Sequence, residues 1–333
     1  MKAYIFEKYG SPDVLQLKEV DKPIPKDNEV LIKVYAVSIN DWDWGLLQGA
    51  PFVNRVSNGL LKPKKIKVPG SDIAGRIEAV GKNVKQFHQG DEVFGDLCGK
   101  WGGFAEYVCA RENGLALKPV NMTFEEAAAI PQAAMLAVQG LRDKGQIHSG
   151  QKILINGAGG GVGTFAVQIA KLYGVEVTGV DSTGKLEMLR SMGFDHVIDY
   201  TKEDFTKNKQ AYDLILDVKT NRSAFDYMRA LCPNGTYVTV GGPGIGLFQV
   251  LFLWPLISIM NKKKIRLVFL KPNKDLGYMI ELFNAGKVKP VIDGPYTLEE
   301  LPKAFSIFCK GDHKGKVVIT MGHDNNTDQS AHQ

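Results

Sequence analysis

The sequence predicts an α/β chain: a doubly wound parallel sheet joined to a second, mostly β domain. Three observations carry that expectation. Between about Thr123 and Phe269, six apolar runs of strand length alternate with segments of helix length. From Met1 to about Asn121, short apolar runs are instead punctuated by turn residues, the pattern of a mostly strand region. The 333 residues also exceed the roughly 250 to 300 at which a single hydrophobic core stops growing, so the chain should divide.

In chain order, Met1–Phe6, Glu29–Val37, Ile73–Val80, Asp91–Phe94 and Phe104–Cys109 are the expected strands of the first region. Lys152–Asn156, Val175–Val180, His196–Tyr200, Tyr212–Val218, Thr236–Val240 and Ile265–Phe269 are those of the parallel sheet. Between the first two of these, Phe165, Ala166, Ile169, Ala170 and Tyr173 recur at spacings of three and four, which predicts a helix stopped by Gly174. Leu276–Ala285 predicts a further helix ended by Gly286, and Lys316–Thr320 a last strand. The expected partition is residues 1–122, then 123–270, then 271–321 returning to the first domain. Residues 322–333 are polar, without apolar period, and are expected to be disordered.

An apolar share of 44% fits a compact fold, and the net charge is +5. The basic clusters Lys62 to Lys67 and Lys262-Lys263-Lys264 are short and lack interleaved aromatics, so they read as solvated loops and nucleic acid is not an expected partner. Cys98, Cys109, Cys232 and Cys309 lie far apart, with no pair at metal-ligand spacing, and are expected as reduced thiols. Met1–Phe6 reads as a strand and lacks the basic, apolar, small-residue layout of a signal peptide, from which a cytoplasmic location is the expectation.

The most informative stretch is Ile153-Leu154-Ile155-Asn156-Gly157-Ala158-Gly159-Gly160-Gly161-Val162-Gly163, an apolar strand running into glycines that open a helix. Glycines permit a tight turn and close approach of the main chain to a pyrophosphate, while the helix N-terminus favours its negative charge. The next strand ends in Asp181, twenty residues beyond Gly161, where an acidic ribose-binding residue is expected. A dinucleotide site at Gly159, Gly160, Gly161, Val162, Gly163 and Asp181 follows.

Beyond the glycines, Pro69-Gly70-Ser71-Asp72-Ile73-Ala74-Gly75 with Val80-Gly81, Gly90-Asp91-Glu92-Val93, Gly102-Gly103-Phe104-Ala105-Glu106-Tyr107, Ala127-Ala128-Ala129-Ile130-Pro131, Ile198-Asp199-Tyr200 and Gly315-Lys316-Val317-Val318 follow in order. Through these motifs the chain resembles the medium-chain dehydrogenase/reductase superfamily nearly end to end. Within it, the chain is similar to the zinc-independent quinone oxidoreductase and enone reductase branch. The resemblance implies a Rossmann cofactor domain and a GroES-like catalytic domain. Where the metal-bearing branch has a cysteine and a Gly-His-Glu run, this sequence has Asn40 and Gly70-Ser71-Asp72, and the four-cysteine structural lobe is missing; no zinc is expected.

Without a Lewis acid, a conjugated carbonyl is the easier hydride acceptor, because the developing enolate oxygen needs only hydrogen-bond donors. The resemblance places Asn40 at the active site as such a donor; on composition alone Asn40-Asp41 reads equally as a turn. Trp42 and Trp44 read either as an aromatic floor for a planar substrate or as packing beneath the loop Ala50 to Lys67. For the cofactor, Asp181 favours NADH, whereas Ser182, Lys185 and Tyr200 resemble the NADPH-binding members, and donors outnumbering one carboxylate favour NADPH. Gly241, Phe269, Leu270 and Lys316 are further cofactor positions implied by the resemblance, each with a plain structural alternative. A quinone or enone is the expected substrate, and a homodimer the expected assembly. Residues 247–260 are apolar almost all round but too short to span a bilayer, and read as a buried or subunit-contact helix, or as a lid or peripheral membrane contact.

Overall fold

A computed structural model describes residues 1–207, 212–241 and 263–322. The apolar segment 247–260 and nearly all of the polar tail lie outside the described residues. Fifteen strands are described: β1 (Lys2–Phe6), β2 (Leu15–Glu19), β3 (Glu29–Ser38), β4 (Asp72–Val80), β5 (Glu92–Asp96), β6 (Tyr107–Arg111), β7 (Ala116–Leu117), β8 (Lys152–Asn156), β9 (Glu176–Asp181), β10 (His196–Asp199), β11 (Tyr212–Asp217), β12 (Leu231–Thr239), β13 (Lys264–Leu267), β14 (Ile292–Thr297) and β15 (Lys316–Thr320). The described α-helices are α1 (Asp41–Gln48), α2 (Phe52–Asn58), α3 (Phe124–Ala129), α4 (Pro131–Val138), α5 (Gly161–Lys171), α6 (Leu186–Ser191), α7 (Ala224–Ala230), α8 (Leu276–Asn284) and α9 (Leu301–Lys310).

The chain forms two compact units, one of residues 1–131, 292–312 and 317–333, the other of 132–291 and 313–316. These limits differ from the sequence partition at both joints. Residues 123–131 stay with the first unit because α3, opened by a reciprocal cap between Thr123 and Glu126, sits against β3, where Ser38 Oγ donates to Ala128 O at 2.8 Å. Residues 271–291 stay with the second: Gln139 Nε2 donates to Lys271 O at 2.9 Å, Arg142 bonds Asp275 at 2.9 Å and Gln168 Nε2 donates to Lys289 O at 3.0 Å.

In the first unit a seven-stranded sheet runs β14-β15-β3-β4-β5-β7 with β6 on β3, and the β1-β2 hairpin forms its own small sheet. Val30, Ile32, Val34, Ile73, Ile77, Val93, Phe104 and Phe305 fill the core. Alongside the strands of this mostly β region stand α1 and α2, whose residues carry too few regularly spaced apolar side chains to announce helices. In the second unit six parallel strands run β10-β9-β8-β11-β12-β13, the doubly wound order expected from the alternation. β8 has the expected bounds, and the other strands begin or end one to several residues from the sequence expectation, most at β12, which starts at Leu231 rather than Thr236. The order reverses between β8 and β11, so the carboxyl ends of these two strands are where a ligand would be received.

Candidate functional site: a glycine cradle and an asparagine-serine pair

In the second unit β8 delivers its last residue, Asn156, into the turn Gly157–Gly160, and α5 starts at Gly161 with Gly160 as its N-cap. The first amide groups of a helix lack intrahelical acceptors, and here no side chain caps them. A Cβ added to Gly163 would lie 2.4 Å from Ala158 O and 2.5 Å from Gly157 O, so only glycine lets the helix close against its own entry turn. A Cβ on Gly160 would meet nothing nearer than Gly157 O at 3.7 Å and His313 Nε2 at 3.8 Å. That open approach at a helix N-terminus fits a pyrophosphate, and the residues present therefore fit a dinucleotide.

Asp181, at the end of β9, is turned into this loop. Its Oδ2 accepts the Gly159 N–H at 2.8 Å, its Oδ1 accepts the Ser182 N–H at 2.8 Å, and Lys185 Nζ stands 3.6 Å from Oδ1. Both side chains are over nine-tenths buried. The carboxylate fastens the glycine turn, and the lysine compensates its charge. Lys185 is thus a buried partner of Asp181. Ser182 is half-buried and Tyr200 exposed, with the Tyr200 N–H donating to Asp181 O at 3.2 Å. The Thr183 hydroxyl donates to Asp199, and with Thr201 it holds that carboxyl low, at about 2.

Residues 313–316 complete the cradle. The Gly315 N–H donates to Gly159 O at 2.8 Å, and a Cβ on Gly161 would lie 3.0 Å from the buried Lys316 Cδ. Gly315 is held at φ 77°, and a Cβ there would strike Val291 O at 2.2 Å. Gly241 follows β12 with φ 133°; Phe269, beyond β13, is exposed and Leu270 half-buried.

A polar network at the strand ends has no counterpart in the motif reading. Asn156, Asp217 and Thr239 are register neighbours at the ends of β8, β11 and β12, and all are buried. Asp217 Oδ1 accepts from Asn156 Nδ2 at 2.9 Å and from the Lys219 and Thr220 amides at 3.1 and 2.9 Å; its Oδ2 accepts the Tyr237 hydroxyl at 2.6 Å. Thr220 Oγ1 donates to Gly241 O at 2.6 Å. Burial first, then the Asp217 charge, push Tyr227 and Tyr237 far up, so both remain hydroxyl donors. One buried carboxylate thereby ties together the ends of β8 and β11 and, through Thr220, reaches Gly241 after β12. The available signal was a polar residue at or next to the end of each of three apolar runs.

In the first unit Asn40 lies two residues beyond β3 and is the N-cap of α1. It is buried, and its Nδ2 donates to Ser71 Oγ at 3.3 Å. Asp43, fully buried, accepts the Asn40 N–H on Oδ2 at 2.8 Å and the Gly70 N–H on Oδ1 at 2.7 Å. It ties the start of α1 to the Pro69-Gly70 turn and so holds Asn40 and Ser71 together; the Asn-x-x-Asp spacing of a capping box was its signal. Asp72 and Asp96 face each other across β4 and β5, both buried. Trp44 packs on the sheet core and Trp42 is exposed, so the two do not share one surface. Among the described residues no three His, Cys, Asp or Glu side chains converge as a metal site.

The comparisons agree with this layout. Residues 26–120 match the alcohol dehydrogenase GroES-like domain, and residues 192–319 match a domain described as zinc-binding dehydrogenase. The chain is 36% identical to a 2-methylene-furan-3-one reductase of Solanum lycopersicum, over 96% of this chain and 79% of that protein. It is 33% identical to the NADPH-dependent alkenal/one oxidoreductase of Arabidopsis thaliana, over 96% and 79%. The solved quinone oxidoreductase of Coxiella burnetii superposes with a TM-score of 0.85 at 27% identity, covering 96% of this chain and 99% of that one. With relatives of this identity aligned along nearly its whole length, and with a parallel sheet, glycine cradle and GroES-like unit in place, the chain belongs to the medium-chain dehydrogenase/reductase superfamily, in its quinone oxidoreductase branch.

Proposed function

We propose that this protein reduces the conjugated carbonyl of an enone or quinone with NADPH and without zinc. The observation that carries the cofactor reading is the Asp181 carboxylate, which is occupied by the Gly159 and Ser182 amides and compensated by Lys185. An acidic residue in this state does not repel a 2′-phosphate as a solvent-facing one would. Ser182, Lys185 and Tyr200 are the residues that would hold that phosphate, and Gly159 to Gly163 the pyrophosphate. Gly241, Phe269, Leu270 and Lys316 would border the rest of the dinucleotide.

When bound, a reduced nicotinamide supplies the hydride. The chain's own task is to hold the acceptor and stabilise charge as it develops on the carbonyl oxygen. Asn40 Nδ2 is the donor we assign to that oxygen, exchanging or sharing its bond to Ser71 Oγ. The α-carbon then takes a proton from solvent. The names of the Solanum and Arabidopsis relatives both denote conjugated carbonyls, which supports the substrate class. Asn40 and Ser71, standing where the metal branch has ligands, support a reaction that needs no metal.

The test is oxidation of NADPH by the purified protein with a panel of enals, enones and quinones, before and after chelation. Turnover on at least one group, unchanged by chelation, is expected. Tight NADPH binding with turnover on none would make the protein a binding member of the family. For the cofactor, Lys185→Ala should weaken NADPH by about 1 to 3 kcal/mol, the scale of a charged hydrogen bond, with NADH little changed. Equal losses for both would show that Lys185 serves only the Asp181 clasp.

A further inference from the structure

The segment between Ala50 and Val68 is built inside out. Phe52, Val53, Val56, Leu60 and Leu61, on and just beyond α2, are each 57 to 93% exposed. The polar face of the same helix points inward. Asn58 is buried and clasps the following loop: its Oδ1 accepts the Lys65 and Ile66 amides at 3.1 and 2.7 Å, and its Nδ2 donates to Ile66 O at 3.0 Å. Arg55 Nε donates to Gly49 O at 3.2 Å, and its guanidinium lies 4.9 Å from the centre of the Tyr9 ring. Tyr9 OH in turn donates to Gly59 O at 2.7 Å. The hydrogen bonds therefore hold the apolar side chains out in water, whereas a helix on a soluble surface usually shows its polar face.

Charge marks the same excursion. Lys62, Lys64, Lys65 and Lys67 are all exposed. From Trp44 to Ser71 the sequence contains these four lysines and Arg55 but no Asp or Glu, five cations against no anion. We infer that this excursion is a docking surface for an anionic phospholipid bilayer, with the apolar side chains entering the headgroup boundary and the lysines meeting acidic headgroups. A second copy of the chain is the weaker occupant, because a two-fold contact through this face would set five cations against five with no acid to offset them.

The test is cosedimentation of the full chain with vesicles of phosphatidylcholine alone and of phosphatidylcholine with phosphatidylserine. Binding is expected only to the anionic vesicles, and salt near about 0.5 M should largely remove it by screening. The pair Lys62→Glu with Lys65→Glu should lower the partition at least about tenfold, since each lysine near such a surface contributes about 1 kcal/mol. The pair Phe52→Ser with Leu61→Ser should also release the protein while its melting temperature and its turnover of a water-soluble quinone stay as in the parent. Absence of binding to anionic vesicles overturns the inference, as does equal binding by either variant pair. A parent dimer that the serine pair converts to monomer, seen by light scattering, would assign the face to a subunit contact instead. A changed Michaelis constant for the soluble quinone would assign it to the substrate site.

Discussion

Gly160→Ala is expected to cost NADPH affinity while leaving the fold intact, and Gly163→Ala to damage both. The two positions are three residues apart and differ in what surrounds an added methyl group. At Gly160 the backbone is extended, with φ −87° and ψ 180°, and the nearest atom to a Cβ is 3.7 Å away, so alanine fits without strain. The methyl group would occupy the space through which a pyrophosphate reaches the amides of α5. Losing one such charged hydrogen bond costs about 1.5 to 3 kcal/mol, or about tenfold to a hundredfold in affinity. At Gly163 a Cβ would stand 2.4 to 2.6 Å from backbone atoms of Gly157 and Ala158, which must move. Overpacking of that kind costs about 1 to 3 kcal/mol of stability in addition to the binding loss. Titration of NADPH by fluorescence beside thermal melting reads both. Unchanged NADPH affinity in Gly160→Ala would mean that this turn does not receive the pyrophosphate.

The second large effect is expected at Asn40. Removing a donor to a developing oxyanion typically lowers turnover about 10²- to 10³-fold. Asn40 is also the N-cap of α1, and loss of a cap costs about 1 kcal/mol. The two roles separate with a pair of variants. Asn40→Ala removes both the cap and the amide donor; Asn40→Ser retains a capping hydroxyl that is too short to replace the amide. Both should fall in turnover, and only alanine should melt earlier. NADPH affinity should hold in each. Full turnover in Asn40→Ser would confine the residue to its cap, with the Ser71 contact a packing detail.

The Asp217 network extends this reasoning to positions that touch no ligand by themselves. Asp217 serves Asn156, Lys219, Thr220 and Tyr237 at once, so changing it disturbs the ends of β8 and β11 together and, through Thr220, Gly241 after β12. A buried carboxylate with this many donors cannot lose one partner cheaply, because the remaining polar groups have no water to turn to. Tyr237→Phe, which deletes a single hydroxyl, is expected to lower stability by about 1 to 3 kcal/mol in thermal or denaturant unfolding. No measurable change would show that the Oδ2 of Asp217 is satisfied elsewhere.

The sequence by itself determined the sheet and its cradle. A parallel sheet buried on both faces demands continuous apolar strands, and a close backbone turn demands glycine; both demands leave unambiguous residue types, as in Ile153-Leu154-Ile155 and in Gly163. That Asn40, Ser71 and Asp72 stand in place of a Cys and a His-Glu pair is likewise read in one dimension. What only the tertiary structure decided were pairings between residues distant in the chain or competing for one group. The bonds of the Asp181 oxygens to the Gly159 and Ser182 amides are one such pairing. That Lys185 is buried against Asp181 is likewise visible only in three dimensions. His313, Gly315 and Lys316 reach the cradle from more than 140 residues along the chain, and Asp43 and Asp217 gather donors from several elements. The inverted face of α2 belongs to the same class: seven residues have too little periodicity to show which side faces the protein, and the Asn58 clasp that decides it exists only in three dimensions.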